Sequence, residues 1–313
     1  MGNKLTAAVA QTASVLLDTP ATVERALGLI AEAAARGVQL LVFPEAFIGG
    51  YPKGADFHIY IGARTPQGRA EFKHYFDAAV TVDGSEIARL AKSAAQHKMY
   101  VVAGIIERDG GTLYCTAVYL GPEGRVLGKH RKLMPTALER LVWGFGDGST
   151  LAAVDTPYGK LGAVICWENY MPALRMAMYQ QRIALYCAPT ADDRDSWAST
   201  MQHIALEGRC FVLSACQHLR RSQFPGDRMN NRLPEAPDTV LMRGGSLIID
   251  PLGKVLAAPV YNEDALLTAE LDMSQIALAQ MDFDPVGHYA RPDVFSLRVN
   301  TAPQRAVSLV DGE

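Results

Sequence analysis

The chain has 313 residues, of which 49% are hydrophobic and 20% charged, and its formal net charge is −3. That length and apolar content suffice for a large buried core. The charge balance offers nothing to attract nucleic acid or an anionic membrane, and no run of 18 apolar residues could span one, so small neutral or weakly charged ligands are the expected partners.

The first segment, MGNKLT, matches the loose pattern for myristoylation. LTAAVAQ reads better as a first strand, beginning at about Leu5 and leaving little tether for a lipid. A helix follows in ATVERALGLIAEAAARG (21–37), with apolar positions every three or four residues and a glycine stop. QLLVFPE (39–45) is a second strand. GSEIARLAKSAAQHK (84–98) repeats the helical period, with Ser85 as the expected cap. MYVVAGIIE (99–107) and CTAVYLG (115–121) are strands, as are KLGAVICW (160–167) and ALYCAPT (184–190). DSWASTMQHIALEGR (195–209) is a third helix, opened by Asp195 or Ser196. CFVLSACQ (210–217) and GGSLIIDP (244–251) complete the strands, and the proline-rich, charged stretch 220–238 between them reads as a surface loop. Strands alternating with helices, without a linker, predict a single α/β domain over 1–313.

Five cysteines, at 115, 166, 187, 210 and 216, contain no C-x-x-C pair. Neither a disulfide framework nor a zinc site is suggested, and free thiols point to the cytoplasm. Familiar cofactor motifs also fail. GPEGRVLGKH lacks Walker spacing, GFGDGS lacks the dinucleotide-binding spacing, and H-E-x-x-H and G-x-S-x-G are absent. No metal or organic cofactor is expected.

Three segments place a polar, reactive residue at the end of an apolar run. Glu45 closes LLVFPE, Lys132 and Glu139 lie in GKHRKLMPTALERLVWGFGDGS, and Cys166 lies in AVICWENYMPALR. Taken singly, each has a plainer reading: a solvated glutamate, a solvated basic face, a buried thiol. Together they supply what acyl or imidoyl transfer needs. A free thiol has a pKa near 8.5, so little thiolate exists at neutral pH. A nearby ammonium favours the anion, and a carboxylate can take the thiol proton and return it to a leaving amine.

FPEAFIGGYPKG, HRKLMPTALERLVWGFGDGS and GAVICWENYMP resemble the three active-site segments of the nitrilase branch of the carbon–nitrogen hydrolase superfamily. MQHIALEGRCFVLSACQ and GHYARPDVF resemble that branch's later segments. The resemblance implies a four-layer α-β-β-α sandwich with a Glu–Lys–Cys triad: Glu45 as base, Lys132 as charge stabiliser, Cys166 as nucleophile, and Glu139 as a second glutamate. Trp167-Glu168-Asn169-Tyr170 after the cysteine is similar to nitrilases, where amidase-type relatives carry an aromatic, an aspartate and a basic residue. It also implies a pocket lined by Tyr51, Thr136, Trp143, Trp167, Pro189 and Thr190, each of which core packing would explain equally well. The implied reaction hydrolyses a small-molecule nitrile to a carboxylic acid and ammonia through a Cys-bound thioimidate. The short tail from about 290, ending at Glu313 soon after GHYARPDVF, implies a homodimer or another homo-oligomer rather than long filaments.

Three other readings stay open on the residues. One is an amidase, N-carbamoyl hydrolase or cyanide-hydrolysing enzyme of the same superfamily. Another is a Cys–His enzyme pairing Cys166 with His288, and the last is a non-enzymatic scaffold. Cys115, Cys187, Cys210 and Cys216 are expected to be packing thiols.

Overall fold

Alternate residues of the first strand, β1 (Lys4–Gln11), serve two different cores. Leu5, Ala7 and Val9 enter a core shared by two sheets, whereas Ala8 and Ala10 lie under helices. A strand covered on both faces is apolar at nearly every position, which is why LTAAVAQ shows no polar alternation. The computed structural model describes residues 4–224, 229 and 232–307, so the myristoylation-like start and the middle of the 220–238 loop lie outside the described residues.

After β1 come α1 (Thr19–Ala35), β2 (Leu40–Val42), a small hairpin of β3 (Ile59–Tyr60) and β4 (Ala63–Arg64), α2 (Pro66–Ala78) and α3 (Ser85–Gln96). Then follow β5 (Tyr100–Asp109), β6 (Thr112–Leu120), β7 (Val126–Arg131), β8 (Val154–Thr156), β9 (Gly159–Ala163) and α4 (Pro172–Gln180). The remaining elements are β10 (Ile183–Thr190), α5 (Asp195–Gly208), β11 (Phe211–Cys216), β12 (His218–Arg220), β13 (Val240–Arg243), β14 (Leu247–Ile249), β15 (Val255–Ala257), β16 (Ala265–Asp272) and α6 (Ser274–Asp282).

One sheet runs β16-β1-β2-β5-β6-β7 and the other β15-β14-β11-β10-β9-β8. In each, three parallel strands form the middle and antiparallel strands form the flanks. Val23, Ala26 and Ile30 of α1, with Ile87 and Leu90 of α3, cover the outer face of the first sheet. Leu174 and Met178 of α4, with Trp197, Met201 and Ile204 of α5, cover the second. The inner faces meet through Val42 and Val102 on one side and Leu185 and Leu213 on the other. This is the α-β-β-α sandwich that the resemblance implied.

Local details differ from the sequence expectation. α1 starts at Thr19, ahead of its apolar period, because the Asp18 side chain accepts the Ala21 N–H at 3.0 Å and Pro20 presets the first turn. Ser85 is the first helical residue of α3; the cap is Gly84, with no side-chain bond. Asp195 is likewise already helical, after an Arg194 cap. The strand expected over 160–167 ends at Ala163, although the Val164 N–H still donates to the Cys187 carbonyl at 2.9 Å; Cys166 then turns left-handed, so no strand runs on to Trp167.

Candidate active site

Three turns at strand ends build the site. Glu45 follows β2, Lys132 is the residue after β7, and Cys166 opens a tight turn over Cys166–Tyr170 just beyond β9. Left-handed non-glycine residues stand in all three segments: Ala46 (φ 50°), Ala137 (φ 48°) and Cys166 (φ 51°). Each such residue costs about 1–3 kcal/mol and persists only where its surroundings hold it.

The surroundings are visible. Gly104 of β5 lets the Glu45 turn lie against it; a Cβ there would sit 2.1 Å from the Pro44 carbonyl oxygen. Gln217 Nε2 donates to the Glu45 carbonyl at 3.0 Å, tying this turn to the end of the second sheet's β11. Gly146 explains part of WGFGDGS. Its N–H donates to the Lys132 carbonyl at 2.8 Å, and a Cβ would meet the Arg131 carbonyl oxygen at 2.3 Å.

Lys132 is the hub. Its Nζ donates to Glu45 Oε1 at 2.6 Å and to Glu139 Oε2 at 2.8 Å, and it lies 5.5 Å from the Trp143 ring centroid, within cation–π reach. Glu139 is itself held by the Tyr51 hydroxyl (2.8 Å, to Oε1) and the Thr136 N–H (2.6 Å, to Oε2). Glu45 is 0% exposed, Lys132 1% and Cys166 4%. The plain readings of a solvated glutamate and a solvated basic face therefore fail for Glu45 and Lys132.

Burial governs the proton affinities. It raises Glu45; the Lys132 charge opposes this only in part, and the Glu139 charge adds to the rise. Burial alone would lower Lys132, but the Glu45, Cys166, Cys115 and Glu139 charges outweigh it, and the ammonium is held well above its usual range. Burial, with the Glu45 charge, pushes the Cys166 thiol well up, against the pull of Lys132 and a hydrogen bond from Thr190. Cys166 is thus a weaker acid than a free thiol, and Glu45 a stronger base than an ordinary carboxylate.

Of the residues expected to line a pocket, Thr190 touches the sulfur: its hydroxyl donates to Cys166 Sγ at 3.2 Å. Pro189 is buried beside it in β10. Trp167 is 42% exposed, its Nε1 donating to Asp192 at 2.8 Å and its ring under the Arg194 guanidinium at 4.7 Å. Trp143 is buried, edge-on to Tyr51, with its Nε1 donating to the Tyr75 hydroxyl at 3.1 Å. Tyr51 and Thr136 reach the site through Glu139. His288 packs its ring against Tyr289 after α6, and no hydrogen bond or ion pair joins it to Cys166 among the described residues.

Two residues enter that the pattern did not single out for a role. Cys115, expected to be a packing thiol, is buried in the core, and its thiol also donates to Glu45 Oε1 across 3.5 Å. Glu168 is buried, with its carboxylate shared among Leu133 N–H (2.5 Å), Ile165 N–H (3.0 Å) and His130 Nε2 (3.0 Å). Its signal in sequence was its place in the nitrilase-like Trp167-Glu168-Asn169-Tyr170 stretch, which said nothing of its backbone partners.

The α-β-β-α sandwich thus gathers a buried thiol, two carboxylates and an ammonium at its strand ends. The carbon–nitrogen hydrolase pattern matches residues 6–281, and the chain belongs to that family. It is 64% identical over 304 residues to an aliphatic nitrilase of Sinorhizobium fredii, covering 97% of this chain and 98% of that one. A bifunctional nitrilase/nitrile hydratase of Lupinus angustifolius is 54% identical over 310 residues, covering 96% and 88%. In fold the chain is similar to a carbon–nitrogen hydrolase of Helicobacter pylori, with a TM-score of 0.73 at 18% identity, covering 94% and 97%.

Proposed function

We propose that this protein is a nitrilase, which adds two waters to an organic nitrile and releases the carboxylic acid and ammonia, with Glu45, Lys132, Cys166 and Glu139 as its catalytic residues. The observation that carries the reading is Lys132 Nζ bonded to both Glu45 and Glu139 in a buried site that also holds the Cys166 thiol. The aliphatic nitrilase relative at 64% identity supports nitriles as the substrate class and makes aliphatic ones the first to test.

The thiol is neutral at rest, so its proton leaves as the sulfur attacks. Glu45 takes that proton while Cys166 Sγ bonds to the nitrile carbon, and the proton passes to the nitrile nitrogen to give a thioimidate. Lys132 stabilises the negative charge that builds up at the reacting centre. Glu45 then removes a proton from a water that adds to the same carbon, and Glu139 holds Lys132 and this water in one polar frame. With the nitrogen protonated, ammonia leaves and a thioester remains; a second water cleaves it, returning the proton to sulfur and releasing the acid. If sulfur leaves in place of ammonia, the amide is released. The bifunctional relative supports this second exit as a minor product.

The reading extends to place and assembly. The described cysteines are all free, which supports a reducing cytoplasm; no described helix is long and apolar enough to cross a membrane. A groove of about 1020 Å³ between α4 and the segment after α6 carries exposed Tyr289 and Phe295, apolar surface of the kind a second copy covers in a homodimer. None of its lining residues belongs to the site.

The test is incubation with paired aliphatic and aromatic nitriles and amides, with ammonia, acid and amide quantified. Nitrile consumption with acid dominant supports the reading, and Cys166→Ala should fold normally and release no ammonia. Rapid amide hydrolysis with no nitrile consumed would make the protein an amidase.

A further inference from the structure

Glu45 receives two donors on a single oxygen. Lys132 Nζ reaches Oε1 at 2.6 Å from the end of β7, and the Cys115 thiol reaches the same atom at 3.5 Å from β6. Oε2 is buried with no hydrogen-bond partner. Cys115 is 1% exposed and meets the site a second time, because its carbonyl accepts the Lys132 N–H at 2.8 Å. One β6 residue thus grips the carboxylate by its side chain and the ammonium-bearing residue by its backbone.

We infer that Cys115 is a positioning residue for the reaction, whose S–H donor orients Glu45 and whose weakness as a donor leaves Glu45 strong enough as a base to take a proton from a thiol. The inference rests on the reading of Glu45 as that base. A hydrogen bond to the charged form of a carboxylate favours that form and makes it a poorer base, in proportion to the donor's strength. A thiol is a weak donor and a hydroxyl a strong one. The charged and titratable groups that act on Glu45 are Lys132, Glu139, Cys166, Cys115 and the Tyr51 and Tyr75 hydroxyls. Lys132 supplies the main opposite charge; the Cys166 and Cys115 thiols are the neutral donors that face Glu45. Of the two, Cys115 is the one outside the reacting centre and so can be altered without removing the nucleophile. Serine there would need only a small shift of either side chain to make a stronger bond, and alanine would make none.

The experiment compares Cys115→Ser and Cys115→Ala with the unmodified protein. The pH dependence of kcat/KM on butyronitrile is measured alongside thermal melting. The acid limb should fall lowest in pH for Cys115→Ser and highest for Cys115→Ala, each displaced by about half a pH unit or more. Packing alone would lower melting temperature and leave the limb where it is. A second readout needs no nitrile: the pH dependence of Cys166 alkylation by iodoacetamide, followed by the mass of its peptide, should show the same order. If nitrile is never consumed but the alkylation order holds, the nitrilase reading fails and this inference stands. Coincident or reversed limbs in both assays would overturn it. Should Cys115→Ser not fold, Cys115→Ala against the unmodified protein decides alone.

Discussion

Glu168 accepts the backbone N–H of Leu133 at 2.5 Å, with the carboxylate oxygen that its other contacts leave free. The second oxygen accepts Ile165 N–H and contacts His130 Nε2, both at 3.0 Å. Leu133 follows Lys132 and Ile165 precedes Cys166, so one buried carboxylate sets the separation of the two turns. Glu168→Gln replaces an acceptor oxygen by an NH₂ group and leaves a buried N–H unpaired. We expect a stability loss of about 1–3 kcal/mol by thermal melting and a kcat reduced about tenfold or more, since small misplacements of reacting groups are costly. His130→Gln keeps both backbone bonds and should be milder. Unchanged kcat in a less stable Glu168→Gln protein would limit Glu168 to holding the fold.

Glu139 stands between Tyr51 and Lys132. Glu139→Gln cannot accept from Lys132, Thr136 N–H and Tyr51 together with the same charge, and kcat/KM should fall about 100-fold. Tyr51→Phe removes only the outer hydrogen bond, worth about 1 kcal/mol, or about a fivefold loss in rate. Steady-state kinetics on one nitrile would rank the two. Near-normal rates for Glu139→Gln would assign that residue to structure alone.

The rate should show an acid limb above the ordinary carboxylate range. Burial raises Glu45, and the proposed reaction uses it ionised as the base, so activity should be present above its raised pKa and lost as pH falls through it. Cys166 is raised as well, which leaves no thiolate to form near neutrality and predicts a flat profile there. A pH–rate profile on a non-ionising nitrile tests both. A rate that climbs steadily from pH 7 to 9 would mean a preformed thiolate instead.

Stability should depend on pH through Glu107. Burial works against its charge, but Arg131 (2.9 and 2.6 Å), Lys129 (2.5 Å) and the Thr116 hydroxyl (2.8 Å) outweigh burial and hold its pKa below the usual value. A lowered carboxylate contributes stability above its unfolded value, about 4.3, and loses it as pH falls through the folded one. Glu107→Gln should therefore cost about 1–3 kcal/mol at neutral pH, since Arg131 loses its buried acceptor but keeps Asp109 at 2.7 Å. The gap between variant and unmodified protein should shrink below about pH 4. Denaturant unfolding at several pH values measures it, and a constant gap would exclude an ionic origin.

What the chain declares locally is burial and period. LTAAVAQ and ALYCAPT announce strands covered on both faces, and the 3.6-residue spacing of 21–37, 84–98 and 195–209 announces the helices that do the covering. Helices α2, α4 and α6 escape this reading; the covered face of α2, for one, carries Gly68 and Glu71 beside Tyr75 and Ala78, so burial there leaves no apolar period. The same local logic brought out Glu45, Lys132 and Cys166, because a reactive side chain closing an apolar run is visible without its partners. The partners themselves are not. Cys115 reads like Cys187 in sequence, yet only Cys115 meets a carboxylate, 70 positions away. Gln217 lies 172 positions from the Glu45 carbonyl it holds. Which oxygen of Glu45 takes Lys132, which thiol faces it and which carboxylate braces the two turns all depend on strand register and on how one sheet stacks against the other. Those are long-range packing choices, whereas a hydrophobic period is written within a few residues of chain.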